Sequence, residues 1–253
     1  MLLSAETISK SFGGVKAVSR FSLEADDREI RGIIGPNGAG KTTVFNLLTG
    51  VYPMDEGRVV FRGRNTTKYK PHQIIWCGMT RTFQNIRLFT NLTVLDNLKV
   101  AYSWKTRYGV LGGMLRLPVV RRIEREIEER ARYCLDFLGL DQYRMAMPAS
   151  LPYGVQRRIE LARALMPEPK LILLDEPAAG LNPSEVRQLI DVIHTIFERE
   201  RLSIIVVEHH MEVIMDICRW IYVLDFGVTI AEGAPSEIQC NPKVLSAYLG
   251  KDE

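Results

Sequence analysis

The chain has 253 residues, of which 46% are hydrophobic and 25% charged, with a net charge of +3. That size supports one large domain, or a core with a subdomain, and a charge so near balance argues against a nucleic-acid partner, which calls for a strong basic stripe. No apolar run approaches the ~20 residues of a membrane span, and the opening Met1–Glu6 lacks the charged and apolar regions of a signal peptide.

Residues 1–30 alternate polar and apolar, with turns at Gly13-Gly14 and Asp26-Asp27, which predicts an antiparallel sheet. Phe12, just before the glycine pair, reads either as edge packing or as a ring that stacks on a base. Ile30–Ile34 reads as a short buried strand and Thr43–Leu48 as a helix. Between them, Gly35-Pro36-Asn37-Gly38-Ala39-Gly40-Lys41-Thr42 is a complete phosphate-binding loop, G-x-x-x-x-G-K-[ST]. Its glycines let backbone N–H groups turn onto phosphates, Lys41 adds a point charge, and the Thr42 hydroxyl is placed to ligate Mg²⁺. The helix that follows favours anions at its N-terminus. Val59–Phe61 reads as another strand, with a turn at Arg62-Gly63. Gln84, between core-like and helical regions, has an amide able to ligate Mg²⁺ weakly or to hydrogen-bond water.

Residues 103–118 read equally as an ordered insertion or a mobile loop. Over residues 119–138, Ile123, Ile127, Ala131, Cys134 and Leu138 recur at helical spacing, with Glu126–Arg130 and Glu128–Arg132 as supporting pairs. The mixed charge of the polar face favours packing in a helical subdomain over binding to a membrane surface. Leu171–Leu174 reads as a buried strand ending in Asp175-Glu176. Beside a phosphate loop, the first acid suits Mg²⁺ and the second suits orienting and deprotonating water. Asn182-Pro183-Ser184-Glu185 is a helix start, followed by a buried stripe of Val186, Leu189, Ile190, Ile193 and Phe197. Ile204–Val207 reads as a second buried strand. It delivers Glu208-His209-His210 to the crevice at the carboxyl ends of the strands, where His209 is placed to meet a terminal phosphate. The four histidines show no metal-ligand spacing. Ile221–Leu224 and Val228–Ala231 flank Asp225-Phe226-Gly227 as a hairpin. Cys77, Cys134, Cys218 and Cys240 contain no C-x-x-C pair and read as buried free thiols in a reducing compartment.

Taken in order, Phe12, Gly35–Thr43, Gln84, Leu151-Pro152-Tyr153-Gly154-Val155-Gln156, Leu171–Glu176, Ala179–Asn182 and His209 resemble the ATP-binding subunits of ATP-binding-cassette (ABC) transporters over essentially the whole chain. The resemblance implies an α/β fold: a P-loop (RecA-like) core with an N-terminal antiparallel β subdomain and an inserted α-helical subdomain. On this reading residues 1–86 and 158–235 form the core, 87–157 the helical subdomain and 236–253 a tail. It further implies that Phe12 stacks on adenine, that Lys41 and the amides of Gly35–Thr43 hold the phosphates of ATP, and that Thr42, Gln84 and Asp175 serve Mg²⁺. Glu176 would be the general base, and His209 would touch the γ-phosphate. A second ATPase subunit would close the site with its signature loop, Leu151, Pro152, Tyr153, Gly154 and Val155, and with Ala179–Asn182 at the seam.

That loop departs from the family's Leu-Ser-Gly-Gly-Gln. Pro152 lacks a hydroxyl and an N–H, and Val155 places an apolar residue at a seam that is polar elsewhere, so reduced but present hydrolysis is expected. Arg81-Thr82-Phe83-Gln84, Arg87-Leu88-Phe89, Asp175–Pro183 and the tail Asn241-Pro242…Ala247-Tyr248-Leu249-Gly250 resemble the branched-chain amino-acid importers within the family. The implied assembly is two ATPase subunits, two transmembrane permeases and a periplasmic binding protein, with this chain peripheral on the cytoplasmic face of the membrane. Urea, short amides, lipopolysaccharide export and a nucleotide-gated module without useful turnover remain open beside it. A ribosome- or DNA-linked cassette would carry a second cassette or long arms, and a small-molecule kinase would need an acceptor pocket and a lid.

Overall fold

The computed structural model describes residues 1–102 and 118–249. Residues 103–117, which hold nearly all of the segment read as insertion or loop, lie outside the described residues. The contacts divide the chain into two compact units, Met1–Gln84 with Lys170–Glu253, and Asn85–Pro169.

The first unit carries two sheets. In one, β1 (Leu3–Phe12) pairs antiparallel with β2 (Val15–Ala25) and with β4 (Glu56–Phe61), and β4 pairs with β5 (Arg64–Asn65). Gly13 and Gly14 close the first hairpin with φ of 51° and 88°, a region open to glycine at little cost. Apolar positions of the alternating pattern, among them Ile8, Phe21, Leu23, Val59 and Phe61, are buried, whereas Phe12 and Val15 beside the hairpin turn are exposed.

The other sheet runs β10-β9-β3-β8-β7-β6. Here β3 (Ile30–Ile34), β6 (Met79–Arg81), β7 (Leu171–Asp175), β8 (Ser203–Val207) and β9 (Trp220–Asp225) are parallel, and β10 (Val228–Gly233) is an antiparallel edge. Every residue of β7 and β8 is buried, which is why both read as unbroken apolar runs rather than alternating ones. The turn between β9 and β10 uses Phe226 and Gly227 at φ 43° and 79°, the left-handed pair of a tight hairpin.

Helix α1 (Lys41–Leu48) buries Val44, Phe45, Leu47 and Leu48, and α2 (Pro71–Cys77) buries Ile74. In the second unit, α3 (Val94–Tyr102), α4 (Pro118–Phe137) and α5 (Tyr153–Leu165) form a helical body. Within α4, Ile127, Ala131 and Cys134 are buried as the spacing predicts, and Leu138 is buried just beyond its end. Val120 and Leu135 complete that face, and Ile123 stays at its margin. The Glu128–Arg132 pair forms at 2.7 Å. The expected boundary between residues 157 and 158 falls inside α5, whose hydrogen-bonded turns cannot be split, so the helical unit runs to Pro169.

Back in the first unit, α6 (Pro183–Glu200) begins with a capping box. Asn182 Oδ1 accepts from the N–H groups of Ser184 and Glu185, and Glu185 returns a bond to Asn182 N–H. Its buried stripe ends on Ile196 rather than Phe197, one position earlier than expected, because Ile196 lies three residues after Ile193 on the core face. Helices α7 (Met211–Ile217), α8 (Pro235–Gln239) and α9 (Pro242–Leu249) complete the unit. Cys134 and Cys218 are buried thiols, whereas Cys77 is half-buried and Cys240 exposed, contrary to four buried ones. Among the described residues no helix is long and apolar enough to cross a membrane.

Candidate functional site: a phosphate loop beside two acids

The loop after β3 owes its shape to contacts that only glycine permits. Gly35 and Gly40 have φ of 149° and 100°, and a Cβ on either would collide with the backbone oxygens of Leu224 and Ala17 respectively. Gly227 N–H, from the β9–β10 turn, donates to Ala39 O at 2.9 Å and braces the loop from outside. No side chain caps the N-terminus of α1, so its first N–H groups are left to an anion. Lys41 is buried, and its Nζ donates to Gly35 O at 2.7 Å and Pro36 O at 2.9 Å. Asn37–Thr43 together with Ala17, Gln84 and Glu176 line a cleft of about 300 Å³.

Strand β7 carries the two acids to this place. Asp175 and Glu176 are both buried. Glu176 has φ 46°, a strained conformation for a residue with a side chain. Gln84 Nε2 donates to Glu176 Oε2 at 2.7 Å, and His209 Nδ1 lies 3.8 Å from the same oxygen. Thus Gln84, Glu176 and His209, far apart in sequence, come together at one carboxylate. Burial pushes the Asp175 carboxyl above its ordinary value, and the hydrogen bond and charge of Arg81 pull it back. One oxygen of Asp175 binds Arg81 at 2.6 Å; the other, Oδ1, is buried with no hydrogen-bond partner among the described residues. An orphaned buried oxygen beside a phosphate loop fits a cation, directly or through its water, although Asp175 is not among the residues lining the cleft.

The histidines lacked metal-ligand spacing in the sequence, yet ligand atoms of Glu208, His209 and His210 lie within 4.8 Å of one another. Glu208 is fully buried and accepts from the N–H groups of Ala178, His209 and His210, so it is committed to holding the turn.

The remaining predicted residues sit elsewhere. Phe12 is exposed at the end of β1, edge-on to Tyr52 with centroids 5.2 Å apart, and is not among the residues lining the cleft. Leu151–Val155 belong to the helical unit. Pro152 is the N-cap of α5 and offers no side-chain cap, while Tyr153 is exposed. Val155 is 7% exposed. It therefore does not present an apolar face outward as expected: the first turn of α5 buries it. The Asn182 side chain is taken up by the cap of α6.

Four residues that touch the site had no role in the sequence reading. Arg81 holds Asp175, Thr82 Oγ1 accepts from Asp175 N–H at 3.2 Å, Glu208 fixes the His209 turn, and the Tyr248 phenol on α9 lies beside the Gly35 backbone, with burial raising its pKa. The signals for Arg81 and Thr82 were their place beside Gln84 and in the string Arg81-Thr82-Phe83-Gln84 that resembles the importers, neither of which assigned them a contact. Tyr248 stood only in the tail string that resembles the branched-chain amino-acid importers, with nothing to link it to the phosphate loop.

A family model described as ABC transporter matches residues 18–179, and one described as branched-chain amino acid ATP-binding cassette transporter matches residues 228–253. The chain is 42% identical to the high-affinity branched-chain amino acid transport ATP-binding protein LivG of Salmonella typhimurium over 250 residues, covering 99% of this chain and 98% of that one. It is 39% identical to the corresponding protein BraF of Pseudomonas aeruginosa, with the same coverage. Among solved structures, the ADP conformation of MJ1267, an ATP-binding cassette of an ABC transporter, superposes with a TM-score of 0.86 at 31% identity, covering 99% of both chains. The phosphate loop, the paired acids, and these matches along the full length place the chain in the ABC transporter family, as an ATP-binding cassette.

Proposed function

We propose that this cassette hydrolyses ATP to drive uptake of branched-chain amino acids, as a peripheral subunit on the cytoplasmic face of a membrane. Its partners would be two transmembrane permeases, a second ATPase subunit and, indirectly, a substrate-binding protein. The observation that carries the enzymatic reading is the carboxylate of Glu176, which accepts from Gln84 at 2.7 Å on the wall of the phosphate-loop cleft. The cargo rests on LivG and BraF, whose resemblance spans the whole chain.

In this reading the amides of Gly35–Thr43 cradle the phosphates, and Lys41 leaves the Gly35 and Pro36 carbonyls to meet the outer ones. Gln84 and Glu176 hold a water in line with the γ-phosphate. Glu176 takes its proton as the new P–O bond forms and the bond to ADP breaks. His209 steadies the transferred group, and phosphate and ADP leave. Asp175, Thr42 and Gln84 would hold Mg²⁺, which supplies neutralisation of the phosphate oxygens. The uncapped N-terminus of α5, preceded by Leu151 and Pro152 and carrying Tyr153, Gly154 and Val155, would give the partner subunit's nucleotide an amide-lined anion contact. Phe12 would stack on adenine, and Asn182 would stand at the seam.

The test is uptake of radiolabelled leucine in source cells that lack the gene, complemented with wild type or Glu176→Gln. Restoration by wild type alone supports the proposal. Restoration by Glu176→Gln removes the catalytic role, and uptake that does not depend on the gene removes the cargo.

A further inference from the structure

We infer that Arg81 sets the cation preference of the site, by occupying one oxygen of Asp175 and leaving a single oxygen for the ion that accompanies the nucleotide. The inference rests on the assignment of Mg²⁺ to Asp175 made above.

Strand β6 ends on Arg81, and its pairing with β7 matches Arg81 to Leu173, close to the acids. The guanidinium is buried and held from several sides. Nη2 donates to Asp175 Oδ2 at 2.6 Å, and Nη1 donates to Asn46 Oδ1 at 2.7 Å and reaches Thr49 Oγ1 at 3.4 Å. The rings of Phe45 and Phe83 lie 5.5 and 5.2 Å from its central carbon. A group clamped in this way is poorly placed to leave when a cation arrives. Asp175 then has only Oδ1 to offer, the oxygen with no partner.

One fixed carboxylate oxygen suits Mg²⁺, which keeps several waters and demands near-ideal octahedral geometry. It penalises Ca²⁺, which is larger and readily takes both oxygens of a carboxylate. The positive charge of Arg81 also opposes drawing any cation in closer than that single contact allows. Arg81 is thus a positioning residue acting through Asp175, and Asn46 is its support from α1.

The experiment measures ADP affinity of the full chain in MgCl₂, in CaCl₂ and in EDTA, for wild type, Arg81→Met, Arg81→Gln and Asn46→Ala. Wild type is expected to bind ADP more tightly in Mg²⁺ than in Ca²⁺. In Arg81→Met, which frees Oδ2, the Mg²⁺-to-Ca²⁺ ratio is expected to fall by about tenfold or more, the usual effect of removing an outer-shell partner. Affinity in EDTA should be unchanged, because the phosphate loop is untouched. Arg81→Gln retains a donor for Oδ2 and should keep most of the ratio without the charge. Should Arg81→Met fail to fold, Asn46→Ala, which only loosens the guanidinium, must still lower the ratio. A folded Arg81→Met with the wild-type ratio, or an Asn46→Ala without effect, overturns the role of Arg81 alone. A wild type whose ADP affinity ignores Mg²⁺ overturns the Mg²⁺ assignment, and this inference with it.

Discussion

Two glycines of the phosphate loop make a matched pair. Gly38 and Gly40 have φ of 81° and 100°, so alanine at either must adopt a left-handed backbone, at a cost of about 1–2 kcal/mol. Their surroundings differ. A Cβ on Gly38 meets nothing within 4 Å, whereas one on Gly40 runs into the Ala17 carbonyl oxygen, far inside the 3.0 Å that Cβ atoms essentially never breach. Relief requires the loop or β2 to move by more than about 0.5 Å, and forced displacement of packed backbone adds about 1–3 kcal/mol. Gly38→Ala should therefore cost about 1–2 kcal/mol and Gly40→Ala about 2–5 kcal/mol. For a chain of this size each kcal/mol lowers the melting temperature by about 2–4 °C. Thermal unfolding without nucleotide isolates the effect from ligand contacts. ATP turnover, read in parallel, should fall by about 10²-fold in Gly40→Ala if the displacement misplaces Lys41. Equal melting temperatures for the two variants would refute the argument that the Ala17 carbonyl dictates glycine at position 40.

Other outcomes follow from particular residues. Purified protein carrying Glu176→Gln should lose about 10²–10⁴-fold in turnover, the range for a general base, while still binding ADP. Asn97 is completely buried and bonds the Phe89 backbone at both its N–H and its oxygen, and also the oxygens of Leu92 and Thr93. Asn97→Ala should destabilise the helical unit by about 2–4 kcal/mol in denaturant unfolding. Val155→Gln forces an amide into the space of a buried valine, and so should cost about 1–3 kcal/mol without raising turnover. Alkylation followed by mass spectrometry should label exposed Cys240 first and spare Cys218, whose thiol burial pushes far up. Lys10 and Ser11 N–H hold the Asp55 carboxyl below its ordinary value. The stability it lends is then complete above about pH 4 and is lost as the pH falls through the lowered value. Asp55→Asn should flatten that part of a pH–stability curve, and an unchanged curve counts against the pair.

The sequence by itself determined the parts whose physics is local. The phosphate loop is legible because its glycines and lysine stand at a fixed spacing within eight consecutive residues, although Gly227, Leu224 and Ala17 also press on it from outside. The capping box at Asn182 is legible for the same reason: its partners are two and three residues away. Strands β7 and β8 are legible because burial on both faces leaves an unbroken apolar run. Only the tertiary structure decided which groups share a carboxylate. Gln84 reaches Glu176 across ninety-two positions, and Arg81 reaches Asp175 across ninety-four. No periodicity records such a pairing, because it depends on β6 and β7 lying side by side in the sheet. The burial of Val155 and the placing of Tyr248 beside Gly35 are decisions of the same kind. Each is set by how whole elements pack, which the spacing of residues within one element does not encode.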